Sequence, residues 1–419
     1  MTLSIKTDRP LIRSEARSNR YLLVSFTAPQ APRREERRPV NVAFVLDRSG
    51  SMSGESKFSL ARQAVEQSLR MLRPEDRFSL VVYDSRIDVL TRSSHATPAA
   101  IRQALDSLSR IEPRGSTDLC SGWMHGCDQV AQFVDHESVS RVLLLTDGLA
   151  NHGTTDRAVL ARHASELRER GVSTSTFGVG VDFDERVLRD MAHEGGGNFY
   201  YLENARQIPD LITSELGETL EVVFPRAAIE IETPRGGDAE VLNRFRSSTG
   251  DNLLRIELGD VVSGQEVEVL VRMNFPRGGV GERASIRASL VGGATAIHSN
   301  EVEWTYASHA DNDRQPRDRE VDRKVAEMYA ARARADATEA NRHGDFAAAR
   351  RVMERTAARV RQYAGTDAVL NDCWNELLSE LPQYDQAVMS PSLMKQAFYS
   401  AEMSGKGRAR DGKARRSPT

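Results

Sequence analysis

Asn41-Val-Ala-Phe-Val-Leu-Asp47-Arg48 runs directly into Ser49-Gly-Ser51-Met52. The apolar part is almost continuous, as in a strand buried on both faces of a parallel sheet. At its C-terminal end it releases one carboxylate and two hydroxyls together: Asp47, Ser49 and Ser51. In open α/β sheets ligands bind in the crevice outside the carboxyl ends of the strands. Hard oxygen donors gathered at that edge suit a hard cation such as Mg²⁺.

Residues 39–222 continue the pattern on both sides of this strand. Buried strands are expected at Arg77–Asp84, Arg141–Asp147, Ser173–Gly180 and Asn198–Leu202, with an antiparallel edge strand at Ile87–Thr91. Between them Lys57–Leu72, Thr97–Leu108, Asp118–Val134, Asp156–Arg170, Asp184–His193 and Ala205–Leu220 carry apolar residues at helical spacing. Strands alternating with amphipathic helices predict a Rossmann-like, doubly wound, mostly parallel sheet with helices on both faces. From about Val223 the period shortens to that of half-buried strands. Short alternating segments separated by Gly236-Gly237, Gly278-Gly279 and Gly292-Gly293 predict an antiparallel β-sandwich-like domain over residues 223–307. The N-terminal residues 1–38 hold two further strands, Leu3–Thr7 and Tyr21–Phe26, which lack partners of their own and are expected to join that domain. Ser308–Arg319 reads as a polar linker. Residues 320–401 read as an α-helical C-terminal region that includes one helical hairpin turning at His343-Gly-Asp345. The basic segment 404–419 is expected to be disordered.

Composition narrows the function classes. The 419 residues are 39% hydrophobic and 28% charged, which fits two or three folded domains. A net charge of -3 gives no general reason to expect nucleic-acid binding, and the basic tail lacks stacking aromatics. No apolar run is long enough to span a membrane, and the N-terminus has no apolar leader. Three scattered cysteines do not make a disulfide framework, so a reducing cytoplasmic home is expected. Cys120 and Cys127 lie two helical turns apart around His125, too far to chelate one ion together, and read as plain packed thiols. No phosphate-binding loop, nucleophile elbow or paired-histidine motif is present.

Two loops offer further oxygens in register with the first strand end. Thr117 lies in Arg114-Gly-Ser-Thr-Asp118, just before a helix, and Asp147 closes the strand Arg141–Asp147. Three neutral hydroxyls and only two carboxylates leave a divalent cation short of negative charge, and so able to accept an anionic oxygen from outside. A plainer reading is that the serines merely cap the next helix. The whole set, Asp47-x-Ser49-x-Ser51 with Thr117 and Asp147, resembles the metal-ion-dependent adhesion site of von Willebrand factor type A domains, over about residues 39–222. The resemblance implies direct coordination by Ser49, Ser51 and Thr117, with Asp47 and Asp147 acting directly or through water. It implies Mg²⁺ as the first choice of cation, with Mn²⁺ and Ca²⁺ open. It also implies a bacterial, non-enzymatic protein-binding module or scaffold, whose metal is completed by an Asp or Glu of a partner. Arg48, Met52, Asn151 and His152 are expected on the rim of the site, where a partner would touch. Rival readings are a subunit of an AAA+ ATPase or metal-chelatase machine, a secreted adhesin, and a Mg²⁺-dependent phosphohydrolase. The last would want an Asp nucleophile with a second nearby Asp and a Lys, and the position two residues after Asp47 is Ser49.

Overall fold

The computed structural model describes residues 2–31, 37–135, 137–292, 295–385 and 387–416. The chain forms two compact units, one of residues 30–223 and one of residues 1–29 with 224–419. The first is thus inserted into the second. Three strands open the chain: β1 (Ser4–Thr7), β2 (Leu11–Arg13) and β3 (Ser18–Thr27).

The inserted unit follows, with β4 (Val40–Asp47), α1 (Lys57–Leu69), β5 (Arg77–Tyr83), β6 (Ile87–His95), α2 (Pro98–Ser109), α3 (Leu119–Ala131) and β7 (Val139–Thr146). Then come α4 (Arg157–Glu169), β8 (Ser173–Val179), α5 (Glu185–Glu194), β9 (Gly196–Leu202) and α6 (Ile208–Leu220). The six strands order as β6-β5-β4-β7-β8-β9, and only β6 runs antiparallel to its neighbour. Every residue of β4 and β7 is buried, and their middle stretches, Val42–Leu46 and Val142–Leu145, read as unbroken apolar runs for that reason. The chain leaves β4 toward β5 on one side and returns to β7 on the other. The sheet order therefore reverses at the β4–β7 pair, the point at whose C-terminal edge open α/β sheets bind their ligands.

Two glycines set the depth of α3 on this sheet. A methyl group at Gly126 would lie 2.3 Å from Val45 Cγ2, and one at Gly122 would lie 2.4 Å from the Tyr83 ring. Spaced four apart, they put a flat stripe of helix against β4 and β5. The far end of the unit is held by Glu215 of α6. This carboxylate is fully buried and accepts from Arg141, Ser175, Asn198 and Tyr200, which ties α6 to β7, β8 and β9.

The second unit contains β10 (Val222–Glu232), whose first residues precede it, β11 (Asp238–Val241), β12 (Arg246–Gly250), β13 (Leu253–Val262), β14 (Glu266–Phe275), β15 (Arg283–Gly292) and β16 (Thr295–Ala307). They form one sheet ordered β1-β3-β14-β11 and another ordered β12-β13-β10-β15-β16-β2. Phe275 and Trp304 meet at 4.9 Å between ring centres, joining residues of the two sheets in one core. The polar segment after β16 is not a bare linker. Ser308 caps a short helix, α7 (His309–Arg314), by accepting from the Asp311 N–H. The helices α8 (Arg319–Arg342), α9 (Phe346–Ala364), α10 (Ala368–Ser379), α11 (Leu381–Asp385) and α12 (Pro391–Gly405) complete the chain's regular structure. Val321, Val325 and Met328 of α8 pack on Tyr21, Leu23, Leu242 and Leu270, so this helix shares a core with the β-sheets instead of forming a separate body.

The expected disordered tail is corrected over residues 404–416. Ser404 and Gly405 belong to α12, and the chain then folds back: the Glu266 N–H donates to the Arg415 carbonyl at 2.9 Å, and Arg415 pairs with Glu327. Arg408 is buried and donates to the Gly412 carbonyl. Composition counted these charges without the acceptors that the fold brings to them. The final residues 417–419, like Gly293 of the expected glycine turn, lie outside the described residues.

Candidate metal centre

Asp47 is the last residue of β4, and its carboxylate is fully buried. One oxygen accepts from the Ser49 N–H at 2.7 Å and the other from the Thr146 hydroxyl at 2.7 Å. Burial pushes its carboxyl up to about 6, with the charge of Asp147 adding to the shift, although the hydrogen bonds from Thr146 and Ser49 work against it. The same burial raises the Tyr83 hydroxyl well above its usual range, and the nearby Asp47 charge adds to it.

Beyond Asp47 the chain enters a short, kinked 3₁₀ segment, Gly50–Ser56, before α1. Ser49 makes no side-chain cap to the following turn. Its hydroxyl instead stands 3.1 Å from that of Ser51, which donates to Asp147 at 2.6 Å. The reading of these serines as helix caps therefore fails. Thr117 is buried, and a methyl placed at Gly148 would lie 3.5 Å from its hydroxyl and 3.8 Å from that of Ser51. Both hydroxyls thus reach toward Gly148, next to Asp147.

Backbone bonds stitch the three loops together. The Gly50 N–H donates to the Gly115 carbonyl at 3.1 Å, and the Arg114 N–H to the Arg48 carbonyl at 2.7 Å. Gly115 has φ +70°, a conformation that a glycine adopts freely. Asn151 fastens the third loop, accepting from the Thr117 N–H at 3.0 Å while its own N–H donates to the Thr117 carbonyl. Asp47, Ser49, Ser51, Thr117 and Asp147 are thereby brought to one edge of the sheet, at the β4–β7 pair.

The rim differs from expectation. Arg48 is only 3% exposed, because its guanidinium turns inward to Asp84 and Asp88. Burial opposes ionisation of Asp84, but hydrogen bonds from Arg114 and the Arg86 N–H, with the charge of Arg48, hold its carboxyl below the ordinary value. Met52 is fully buried in the core. Neither can meet a partner as the structure stands. Asn151 and His152 are exposed, and His152 reaches Asp118 at 3.2 Å. Leu149, beside Gly148, is an exposed apolar residue on the rim that no sequence pattern singled out, and Val181 follows the neighbouring strand β8 at the same edge.

Two more residues escaped sequence reasoning. Thr146 had a legible signal: a hydroxyl closing the buried aliphatic run Val142–Leu145 needs a partner. Lys57 had almost none. It is the first residue of α1, and its ammonium lies 2.7 Å from the Asp147 oxygen not used by Ser51. Cys120 and Cys127 are both buried, and burial raises both thiols. Among the described residues no group of three or more His, Cys, Asp or Glu side chains is placed to hold a metal ion. The candidate set here is of another kind, two carboxylates with three hydroxyls.

Residues 41–214 match the family model of the von Willebrand factor type A domain. The chain is 29% identical over 266 residues to the Escherichia coli (strain K12) protein YfbK, covering 61% of this chain and 44% of that one. It is 28% identical to mouse inter alpha-trypsin inhibitor heavy chain 4 over 51% of this chain and 25% of the heavy chain. This chain therefore spans less than half the length of either relative. Among solved structures, a von Willebrand factor type A protein from Catenulispora acidiphila superposes with a TM-score of 0.74 at 16% identity, covering 99% of this chain and 97% of its own. The ArnB paralog VWA2 from Sulfolobus acidocaldarius gives 0.61 at 17%, covering 96% and 98%. These two likenesses concern fold. No helix among the described residues is long and apolar enough to cross a membrane.

Proposed function

Starting from a chain that carries a von Willebrand factor type A domain at residues 41–214, we propose that Asp47, Ser49, Ser51, Thr117 and Asp147 bind a divalent cation, with Mg²⁺ preferred, and that a partner protein's Asp or Glu completes its shell. The observation that carries this reading is the convergence of five oxygen-bearing side chains at the switch point of the sheet. The Ser49–Ser51 separation of 3.1 Å is close to the edge of an octahedron whose arms are about 2.1 Å long. The Ser51–Asp147 separation of 2.6 Å is that of a hydrogen bond, shorter than this edge, so the pair would open slightly to admit the ion. The donors are all hard oxygens, as Mg²⁺ prefers, and the exposed Ser51 faces solvent, from which water or a partner's carboxylate would arrive. Ser49, Ser51 and Thr117 would coordinate directly, and the buried acids would supply charge directly or through water.

A binding role is favoured over hydrolysis by the state of Asp47. Its two oxygens are engaged by Ser49 and Thr146 and it is fully buried, so it is poorly placed to attack a phosphorus atom. The metal supplies Lewis acidity toward the incoming carboxylate, while Leu149, Val181, Asn151 and His152 offer the surrounding apolar and polar contacts. The decisive experiment captures interacting proteins from lysate on the immobilised chain in Mg²⁺ and in EDTA, with Asp47→Ala in parallel. Partners retained equally in all three conditions would sink the reading.

A further inference from the structure

Lys57 sits where local chain energetics disfavour it. It begins α1, and a cation at a helix N-terminus meets the positive end of the helix dipole. No acidic residue occupies the first turn of α1 to offset it. The chain reaches this point through two consecutive non-glycine residues in the left-handed region, Glu55 at φ 51° and Ser56 at φ 59°. Such conformations are uncommon for residues with side chains and are stored where the surroundings require them. What the kink achieves is the contact itself. It sends the Lys57 ammonium to Asp147, 90 residues further along the chain. The Lys57 side chain is 14% exposed, so bulk salt screens this pair weakly.

The two oxygens of Asp147 are thus divided. One accepts from Ser51, within the candidate donor set, and the other is held by Lys57. On the metal-site reading above, we propose that Lys57 is a tethered counter-ion of this site. It lowers the affinity for the divalent cation and leaves the loaded site positive enough to draw an anionic partner group. The ammonium neutralises one of two buried carboxylates before any metal arrives, which relieves the repulsion between Asp47 and Asp147. When the cation enters, the same ammonium repels it at short range. It also keeps Asp147 from giving both oxygens to the metal. Lys57 is a positioning and specificity residue here, since it acts on the cation through Asp147.

The test uses the full chain and the metal ion alone, titrating Mn²⁺ and Mg²⁺ by calorimetry into wild type, Lys57→Met, Lys57→Gln and Lys57→Arg, with circular dichroism to verify folding. Lys57→Met and Lys57→Gln should bind Mn²⁺ at least about tenfold more tightly than wild type, and Lys57→Arg should stay within about threefold. Glutamine keeps a hydrogen-bond donor without charge, so it carries the comparison if methionine prevents folding. Equal or weaker binding by the folded neutral variants would overturn the counter-ion role while leaving the metal site standing. Tighter binding by Lys57→Arg to the same extent would overturn it too, because charge would not be the cause. Absence of Mn²⁺ uptake by every protein, wild type included, would overturn the metal-site reading and this inference with it.

Discussion

On the proposed metal-site reading, Asp47 makes cation binding pH-dependent in a window that an ordinary aspartate would not reach. Burial has raised its carboxyl from the usual range to about 6. A proton and a cation compete for the same buried charge, so affinity should climb with pH up to about 6 and level off above it. At pH 5 roughly nine in ten Asp47 carboxyls are protonated, so the apparent affinity should be about tenfold weaker than at pH 7.5. The metal-free protein should respond in the opposite sense. The raised folded value means that the unfolded chain gives up this proton first, near pH 4. The stabilising share of Asp47 is full below that pH and is lost as pH rises to about 6, to the extent of about 3 kcal/mol. Added Mg²⁺ should therefore raise the unfolding midpoint more at pH 7 than at pH 5. Calorimetric titration of Mn²⁺ from pH 5 to 7.5, paired with urea unfolding with and without EDTA, reads both slopes. In Asp47→Asn, which lacks the titrating group, the metal affinity should be weak and the pH profile flat. A wild-type affinity that is unchanged between pH 5 and 7.5 would refute the reasoning.

Three other outcomes are expected. Thr117→Val keeps the shape of the loop and removes one hydroxyl, so Mn²⁺ affinity should drop at least about tenfold and Thr117→Ser should recover most of it; equal binding by the valine variant removes Thr117 from the donor set. Glu215→Ala strands the buried Arg141 and three other donors, and urea unfolding should show a loss of about 3–5 kcal/mol. Gly126→Ala brings a methyl within 2.3 Å of Val45 Cγ2, so despite the better helix propensity of alanine it should cost about 1–3 kcal/mol, and Val45→Ala in the same chain should recover part of that.

What could be read from the residues follows from what is local. Val40–Asp47 and Val139–Thr146 are buried on both faces, so their character is written in the consecutive apolar residues Val42–Leu46 and Val142–Leu145. The shared placement of the five candidate residues was legible for a related reason: side chains at a parallel sheet's edge follow strand ends, and strand ends are visible. Arg48 and Met52 were misplaced because their fate depends on distant partners. Asp84 and Asp88 lie 36 and 40 residues beyond Arg48, and nothing next to Arg48 announces them. The C-terminal charges failed for the same reason, since Glu327 and the edge of β14 lie far back along the chain. β11 and β12 are short and largely polar or exposed, which hides strand periodicity. α7 did carry a signal, Ser308 three residues before Asp311, but the segment's polarity masked it as a linker.

On the proposed reading, charge accounting links the cation to the partner's carboxylate. Asp47 and Asp147 ionised, with Lys57 paired to Asp147, leave one net negative charge around the cation. A divalent ion turns that into one net positive charge in a largely buried setting, where a single carboxylate neutralises it. Without Lys57 the loaded site would already be neutral and would draw an incoming acid less strongly. On that reading the two affinities oppose each other through one ammonium group. A variant that holds its metal more tightly should hold its partner less tightly, and a site of this composition trades metal retention for a vacancy that stays attractive to an anion.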